Sequence, residues 1–180
     1  MRQMEFERKK VISESEYLDC LSKMSYLTEY REIMQINYYY DDQDFSLYSN
    51  GQTLRVRQIG NILTLEQKIH KRDVDGIRIS DERIMRINVL PRRISTDKSM
   101  LFYVGNMLTI RKNYVIERFT VSLDKCIYLG VVDYEVEIES EYIRENPTFL
   151  DGITSFDKQT LGKYPRFIQK LREPATFAFL

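Results

Sequence analysis

The stretch Asp133-Tyr134-Glu135-Val136-Glu137-Ile138-Glu139 alternates acidic and apolar residues without a break. Side chains of a β-strand point to opposite faces at successive positions, so this pattern predicts a strand with four carboxylates on one face. Neighbouring carboxylates on that face lie about 7 Å apart and repel one another. Positive groups or metal ions opposite them would offset this repulsion. We therefore expect positively charged groups or metal ions to lie opposite the carboxylates of this face.

The same alternation recurs through most of the chain. It predicts eight strands, near residues 3–12, 34–41, 52–59, 61–70, 76–88, 107–113, 115–123 and 131–140. Three pairs of turn-forming residues lie between these segments and favour short hairpins: Asn50-Gly51, Gly60-Asn61 and Asp75-Gly76. The chain is thus predicted to be mainly β, with strands joined largely by hairpins.

Helical signals are fewer. Ser13 and Glu16 form a capping box, followed at helical spacing by the apolar residues Tyr17, Leu18, Leu21 and Met24. A second short helix is predicted from Thr96 to Val104, and Ser155 is predicted to cap a turn that ends near Gly162. Residues Tyr164 to Arg172 form a basic amphipathic segment and predict a helix near the C-terminus.

Other predicted strands also carry charges in register on one face. Glu5, Glu7 and Lys9 share a face, as do Arg55 and Arg57. Two interpretations fit this pattern: an antiparallel sheet with one solvated face, or a closed barrel that turns its charges toward a lumen. Two arginines at i and i+2 present two planar forks that suit phosphate oxygens. A barrel of about eight strands is wide enough to hold one small ligand.

Composition excludes several classes of protein. The 180 residues carry 27 Lys+Arg against 27 Asp+Glu, so a broad positive surface for nucleic acid is not expected. Neither a secretory signal nor a membrane-spanning stretch is visible, and we expect a cytoplasmic protein of one domain over residues 1–180. The single histidine argues against zinc and Ser-His-Asp sites, and Cys20 and Cys126 are expected to be reduced, packed thiols.

The charged segments, taken in order, resemble the CYTH superfamily of triphosphate tunnel metalloenzymes, and most closely its small bacterial single-domain branch. Residues 5–9 resemble its ExExK signature and residues 54–57 its LRxR strand. Further segments that resemble family motifs are Asn37–Asp41, Leu63–Lys68, Leu108–Arg111, Leu123–Lys125 with Tyr128–Gly130, Asp133–Glu137 and Gly162–Phe167. The resemblance covers nearly the whole chain.

This resemblance implies a closed eight-stranded antiparallel tunnel barrel with flanking helices that binds a small-molecule triphosphate and two divalent cations, Mg²⁺ or Mn²⁺. It assigns carboxylates to the metals: Glu5, Glu7, Glu135 and Glu137, with Asp124 and Glu139 as weaker candidates. It assigns cations to the phosphate oxygens: Lys9, Arg55, Arg57, Lys68, Arg111, Lys163 and Arg166. Lys9 and Glu82 are the catalytic candidates, Lys9 beside the attacking water and Glu82 orienting water, a metal or an arginine.

One position departs from the family pattern. Where the family commonly carries lysine directly after LTL, this chain carries Glu66, and Lys68 follows one inward position later. The resemblance implies hydrolysis of inorganic tripolyphosphate, thiamine triphosphate or a nucleoside triphosphate, or cyclisation of ATP as in class IV adenylate cyclases. Glu66 adds a third alternative, the noncatalytic binding of polyphosphate or nucleotide. The sequence leaves open whether the protein is a monomer or a homodimer.

Overall fold

The computed structural model describes residues 2–140, 156 and 160–174. Eight long strands form the barrel wall: β1 (Arg2–Ile12), β2 (Tyr30–Asp41), β3 (Gln52–Ile59), β4 (Ile62–Val74), β5 (Ile77–Ile87), β7 (Met100–Ile116), β8 (Phe119–Tyr128) and β9 (Val131–Ser140). A short strand, β6 (Arg93–Ser95), and three helices complete the described part: α1 (Glu14–Leu27), α2 (Ser46–Ser49) and α3 (Lys163–Leu171).

The strands close on themselves. Their order is β2-β3-β4-β5-β1-β9-β8-β7, and β7 pairs back onto β2 along almost its full length, while β6 is added at the edge of β7. All of these pairings are antiparallel. The prediction of a closed eight-stranded antiparallel barrel is confirmed.

Two of the three predicted hairpin turns join neighbouring strands: Gly60-Asn61 joins β3 to β4, and Asp75-Gly76 joins β4 to β5. Gly60 has a φ of 56°, and Asp75 and Gly76 have φ of 50° and 75°. Glycine adopts this left-handed conformation without a Cβ clash, and aspartate tolerates it better than most residues. The predicted short hairpin at Asn50-Gly51 is wrong, because α2 lies in the connection from β2 to β3 and these two residues follow that helix.

The predicted helix from Thr96 to Val104 is wrong. Met100 begins β7, and this part of the strand pairs Leu101 with Ile94 and Tyr103 with Tyr40. Leu101 is buried between exposed neighbours, so the local pattern has the period of a strand rather than of a helix. The predicted break between the next two strands was also misplaced, since β7 continues to Ile116 and the turn falls at Glu117, whose φ is 56°.

Helix α1 covers the outer face of the barrel. The predicted capping box is present, with the Ser13 side chain accepting from Glu16 N and the Glu16 carboxylate accepting from Ser13 N. Tyr17, Cys20 and Met24 are buried against the apolar outward residues of β8 and β9. Leu18, which the helical spacing placed among them, is exposed instead.

Helix α3 packs against inward-facing side chains of the barrel. Tyr164, Phe167 and Ile168 are buried in a cluster with Tyr39, Met107, Cys126 and Tyr128. The Tyr164 hydroxyl donates to Asp41 Oδ2 at 2.7 Å, which fixes the helix to the end of β2. The predicted helix at residues 164–172 is confirmed within one residue at each end, whereas the predicted cap at Ser155 lies outside the described residues.

Both cysteines are free and buried, as expected for packed thiols. Burial raises the pKa of the Cys126 thiol, which keeps it protonated at neutral pH. Among the described residues, no helix is long and apolar enough to cross a membrane.

Candidate functional site

The barrel encloses a charged cavity of about 850 Å³. Strand alternation turns one face of each of β1, β3, β4, β5 and β9 toward this cavity, and many of the charged residues on those faces line it. The predicted site residues that line the cavity are Glu5, Glu7, Lys9, Arg55, Arg57, Lys68, Glu82, Arg111, Glu137 and Lys163, together with the weaker candidate Glu139. Of the two interpretations of the alternation, the structure has the one in which the charges face a lumen.

Three carboxylates converge beside the first turn of α3. Asp124, Glu135 and Glu137 are all buried, and each offers an oxygen within 4.8 Å of the others. Carboxylate oxygens are the ligands that Mg²⁺, Mn²⁺ and Ca²⁺ prefer, so the donor set fits a divalent cation of this class. The buried acidic cluster therefore agrees with the prediction that any metal is held by carboxylates.

The Lys163 ammonium occupies the centre of this group. Its Nζ lies 2.8 Å from Asp124 Oδ2, 2.5 Å from Glu135 Oε1 and 2.8 Å from Glu137 Oε1. Burial alone would lower the pKa of Lys163, but the three carboxylates outweigh it and raise that pKa well above its usual value. The lysine therefore stays charged and compensates the acids among which it lies.

A second cationic group holds the acids of β1. Lys9 Nζ donates to Glu7 Oε1 at 2.6 Å, and Lys68 lies 3.1 Å from the same oxygen while also pairing with Glu5. Burial opposes ionisation of Glu7, but Lys68 and Lys9 prevail and lower its pKa to about 2. For Glu5, burial prevails over Lys68 and raises the pKa to about 7.

Arg55 and Arg57 lie on β3 and share the buried carboxylate of Glu66. Arg55 Nε donates to Glu66 Oε2 at 2.8 Å, and Arg55 Nη2 lies 2.8 Å from the same oxygen. Arg57 Nη2 lies 3.4 Å from it. Burial and the charge of Arg55 lower the pKa of Arg57 to about 10, so it remains protonated at neutral pH. Glu66 is thus the counter-ion of the Arg55–Arg57 pair.

The remaining predicted residues, Arg111, Arg166 and Glu82, differ in their partners and in whether they line the cavity. Arg111 pairs bidentately with Asp124, at 2.8 and 2.7 Å, and also contacts Glu137. Arg166 contacts Asp133 and Glu135 and does not line the cavity within the described part of the chain. Glu82 is buried and accepts from Gln3 Nε2 at 3.4 Å.

Several cavity residues were not selected from the sequence. Gln35, Tyr48, Thr53, Arg78 and Arg118 also line the cavity. Arg78 shares the inward face of β5 with Ser80 and Glu82, and this register was the one signal that could have placed it in the site. Arg118 follows the turn at Glu117, and the misplaced strand boundary hid its position.

A model of the CYTH domain family matches residues 3–170 of this chain. The chain belongs to the CYTH domain family. The CYTH family is metal-dependent in general, in agreement with the buried acidic cluster.

The chain is also similar in sequence or in structure to several known proteins. The chain is 24% identical over 191 residues to the Bacillus subtilis protein named "Putative triphosphatase YjbK", covering 96% of this chain and 98% of that protein. A crystal structure named as a putative adenylate cyclase of Bacillus halodurans superposes with a TM-score of 0.72 at 22% identity, covering 92% of this chain and 98% of the other. A structure of HpAC1 from Hippeastrum, named as a putative adenylyl cyclase with a dominant triphosphatase activity, superposes with a TM-score of 0.73 at 19% identity, covering 92% and 95%. The two structures are similar to this chain in fold.

Proposed function

We propose that this protein hydrolyses a small-molecule triphosphate inside the barrel cavity with the help of bound Mg²⁺ or Mn²⁺. The observation that carries the proposal is the enclosure of carboxylates and of arginines and lysines in one cavity of about 850 Å³. A triphosphate needs charge neutralisation along its whole length and in-line positioning of water, and it needs little covalent chemistry from the protein. A cavity with both signs of charge supplies these requirements.

The carboxylates form two groups that suit two cations. We propose Glu5 and Glu7 for one group and Asp124, Glu135 and Glu137 for the other. Each group now contacts a lysine ammonium, Lys68 in the first and Lys163 in the second, which indicates a position where positive charge is favourable. When bound, divalent cations neutralise phosphate oxygens and favour deprotonation of water at neutral pH.

The cations of the cavity are proposed to bind the phosphate oxygens. Arg55, Arg57, Lys68, Arg111 and Lys163 line the cavity and carry donors that suit phosphate. Arg166 is proposed to act indirectly, because its guanidinium contacts the Glu135 carboxylate and can hold that proposed metal ligand in position.

Two residues are proposed to act on the attacking water. Lys9 is buried in the cavity wall, with its ammonium 2.6 Å from Glu7 Oε1, so it can donate a hydrogen bond beside the proposed metal ligands. Glu82 can accept a proton or orient water from β5, or hold an arginine in place. Both roles require only hydrogen bonds from side chains that already line the cavity.

Inorganic tripolyphosphate is the first substrate we propose, because the charged side chains address phosphates and metals rather than an organic group. Thiamine triphosphate and nucleoside triphosphates are the alternatives. Support comes from the triphosphatase name of the Bacillus subtilis relative and from the activity ascribed to HpAC1.

A panel of these compounds, followed by ³¹P NMR with Mg²⁺ and with Mn²⁺, tests the proposal. Orthophosphate and a diphosphate product are expected. Cyclic AMP with pyrophosphate from ATP would instead identify a cyclase, and binding of every compound without turnover would leave a binding module.

A further inference from the structure

The Glu66 carboxylate contacts both arginines of β3. Its Oε2 accepts from Arg55 Nε and lies within 3.4 Å of Arg57 Nη2, while its Oε1 accepts from Thr64 Oγ1 at 2.8 Å. Glu66 is 5% exposed and, among the described residues, is not part of the cavity lining, whereas both arginines are. Glu66 is therefore a fixed, buried counter-charge rather than a ligand for anything in the lumen.

Glu66 lowers the net charge of the arginine pair. Arg55 and Arg57 carry two positive charges, and the Glu66 carboxylate reduces the net charge of the three side chains to one. The cavity cations proposed to bind phosphate on other strands and on α3 pair instead with carboxylates proposed as metal ligands: Lys68 with Glu5 and Glu7, Arg111 with Asp124 and Glu137, and Lys163 with Asp124, Glu135 and Glu137. Metal binding would free those cations for phosphate, whereas Glu66 stays beside its arginines whether or not metal is present.

We propose that Glu66 is a specificity-determining residue that lowers the affinity of the Arg55–Arg57 pair for the most highly charged phosphate ligands. This inference rests on the proposed function, because it takes the arginine pair to bind phosphate. The energy of a charge pair scales with the product of the charges, so a buried negative charge opposes a ligand more strongly as the ligand's own charge rises. Fully ionised tripolyphosphate carries one negative charge more than a triphosphate ester. Glu66 therefore reduces the ratio of the affinity for tripolyphosphate to the affinity for a triphosphate ester.

Calorimetric binding at pH 8 in EDTA tests this proposal apart from metal chemistry and turnover. Tripolyphosphate and ATP are titrated into the wild type and into Glu66→Gln, which removes the charge and keeps a side chain of the same shape. Tripolyphosphate binding is expected to tighten by about tenfold or more, and ATP binding by less. Glu66→Lys serves as the second variant if the glutamine variant does not fold, and its expected gain is larger.

Glu32→Gln is the control for loss of one negative charge, because Glu32 pairs with Lys112 and is absent from the cavity lining among the described residues. A purely structural role for Glu66 predicts weaker binding of both ligands, since the arginines would lose their fixed positions. Unchanged or weaker tripolyphosphate binding in the Glu66 variants, or an equal gain in Glu32→Gln, overturns the inference. If neither the wild type nor the Glu66 variants bind tripolyphosphate, with EDTA or with Mg²⁺, the proposed function fails together with it.

Discussion

The ammonium of Lys163 lies 2.5 Å from Glu135 Oε1, at the centre of a group of three buried carboxylates. A divalent cation that binds this group must displace the ammonium or share the carboxylates with it. Lys163 is the first residue of α3 and its side chain also borders the cavity. A metal bound at this proposed site would therefore compete with Lys163 for the same oxygens.

Lys163→Met is expected to bind Mn²⁺ more tightly than the wild type, by about tenfold or more, because the competing charge is lost. Titration followed by the Mn²⁺ electron paramagnetic resonance signal measures this in the absence of substrate. Arg166→Met is the matched control, since it removes a positive charge that contacts Glu135 from outside the centre of the group. Equal affinities in the wild type and Lys163→Met, or an equal gain in Arg166→Met, would contradict the competition.

Glu66 links stability to pH. Burial alone would raise its pKa, but Arg55, Arg57 and the hydrogen bond from Thr64 together lower it below the ordinary value of 4.5. The ionised carboxylate therefore stabilises the fold above about pH 4.5, and this stabilisation is lost as the pH falls toward the lower folded-state pKa.

Glu66→Gln is expected to lower the free energy of unfolding by about 1–3 kcal/mol at pH 7, in the range for hydrogen bonds to charged groups. The difference from the wild type should shrink as the pH falls below the ordinary pKa of glutamate. Urea unfolding at a series of pH values measures both curves. A difference that is constant or grows toward acid pH would contradict this assignment of the charge.

Gly105 allows α3 to pack closely against β7. A Cβ at this position would lie 2.5 Å from Phe167 Cζ, and the φ of 154° is itself unfavourable for other residues. Gly105→Ala is expected to destabilise the fold by about 2 kcal/mol or more, because the buried ring has to move. Urea unfolding measures the loss.

Gly60→Ala is the control for backbone strain, since Gly60 has a φ of 56° and nothing lies within 4 Å of the added Cβ. Its expected cost is about 1 kcal/mol, from the left-handed conformation alone. Similar losses in the two variants would show that contact with Phe167 contributes little.

Most strands were predictable because each carries its own period of two, whereas closure into a barrel was predicted from the resemblance to the CYTH superfamily. Val131–Ser140 and Gln52–Ile59 were predicted to the residue. The region from Thr96 to Val104 failed because it has no charged face to set a register, and its conformation depends on pairing with β2 and β6. Local pattern does not contain that information.

The site was predictable in its residue types and not in its pairings. Alternation placed Glu7 and Glu137 on the charged faces of their strands, and the structure buries both residues. The position of Lys163 among three carboxylates depends on how α3 packs against Tyr39 and Met107, which are distant in sequence. The contact of Glu66 with Arg55 requires the register of β3 with β4, in which these two residues lie opposite each other.

The inward-facing charges are proposed to form a site for triphosphate hydrolysis. Release of orthophosphate from tripolyphosphate with Mg²⁺ or Mn²⁺, compared between Arg57→Ala and Arg83→Ala, tests this function. Arg57 lines the cavity, whereas Arg83 is exposed on the outer face of β5. We predict release by the wild type and by Arg83→Ala, no release in EDTA, and a loss of about a hundredfold or more in Arg57→Ala. Equal rates in the two variants, or no release by the wild type with either metal, would contradict the account.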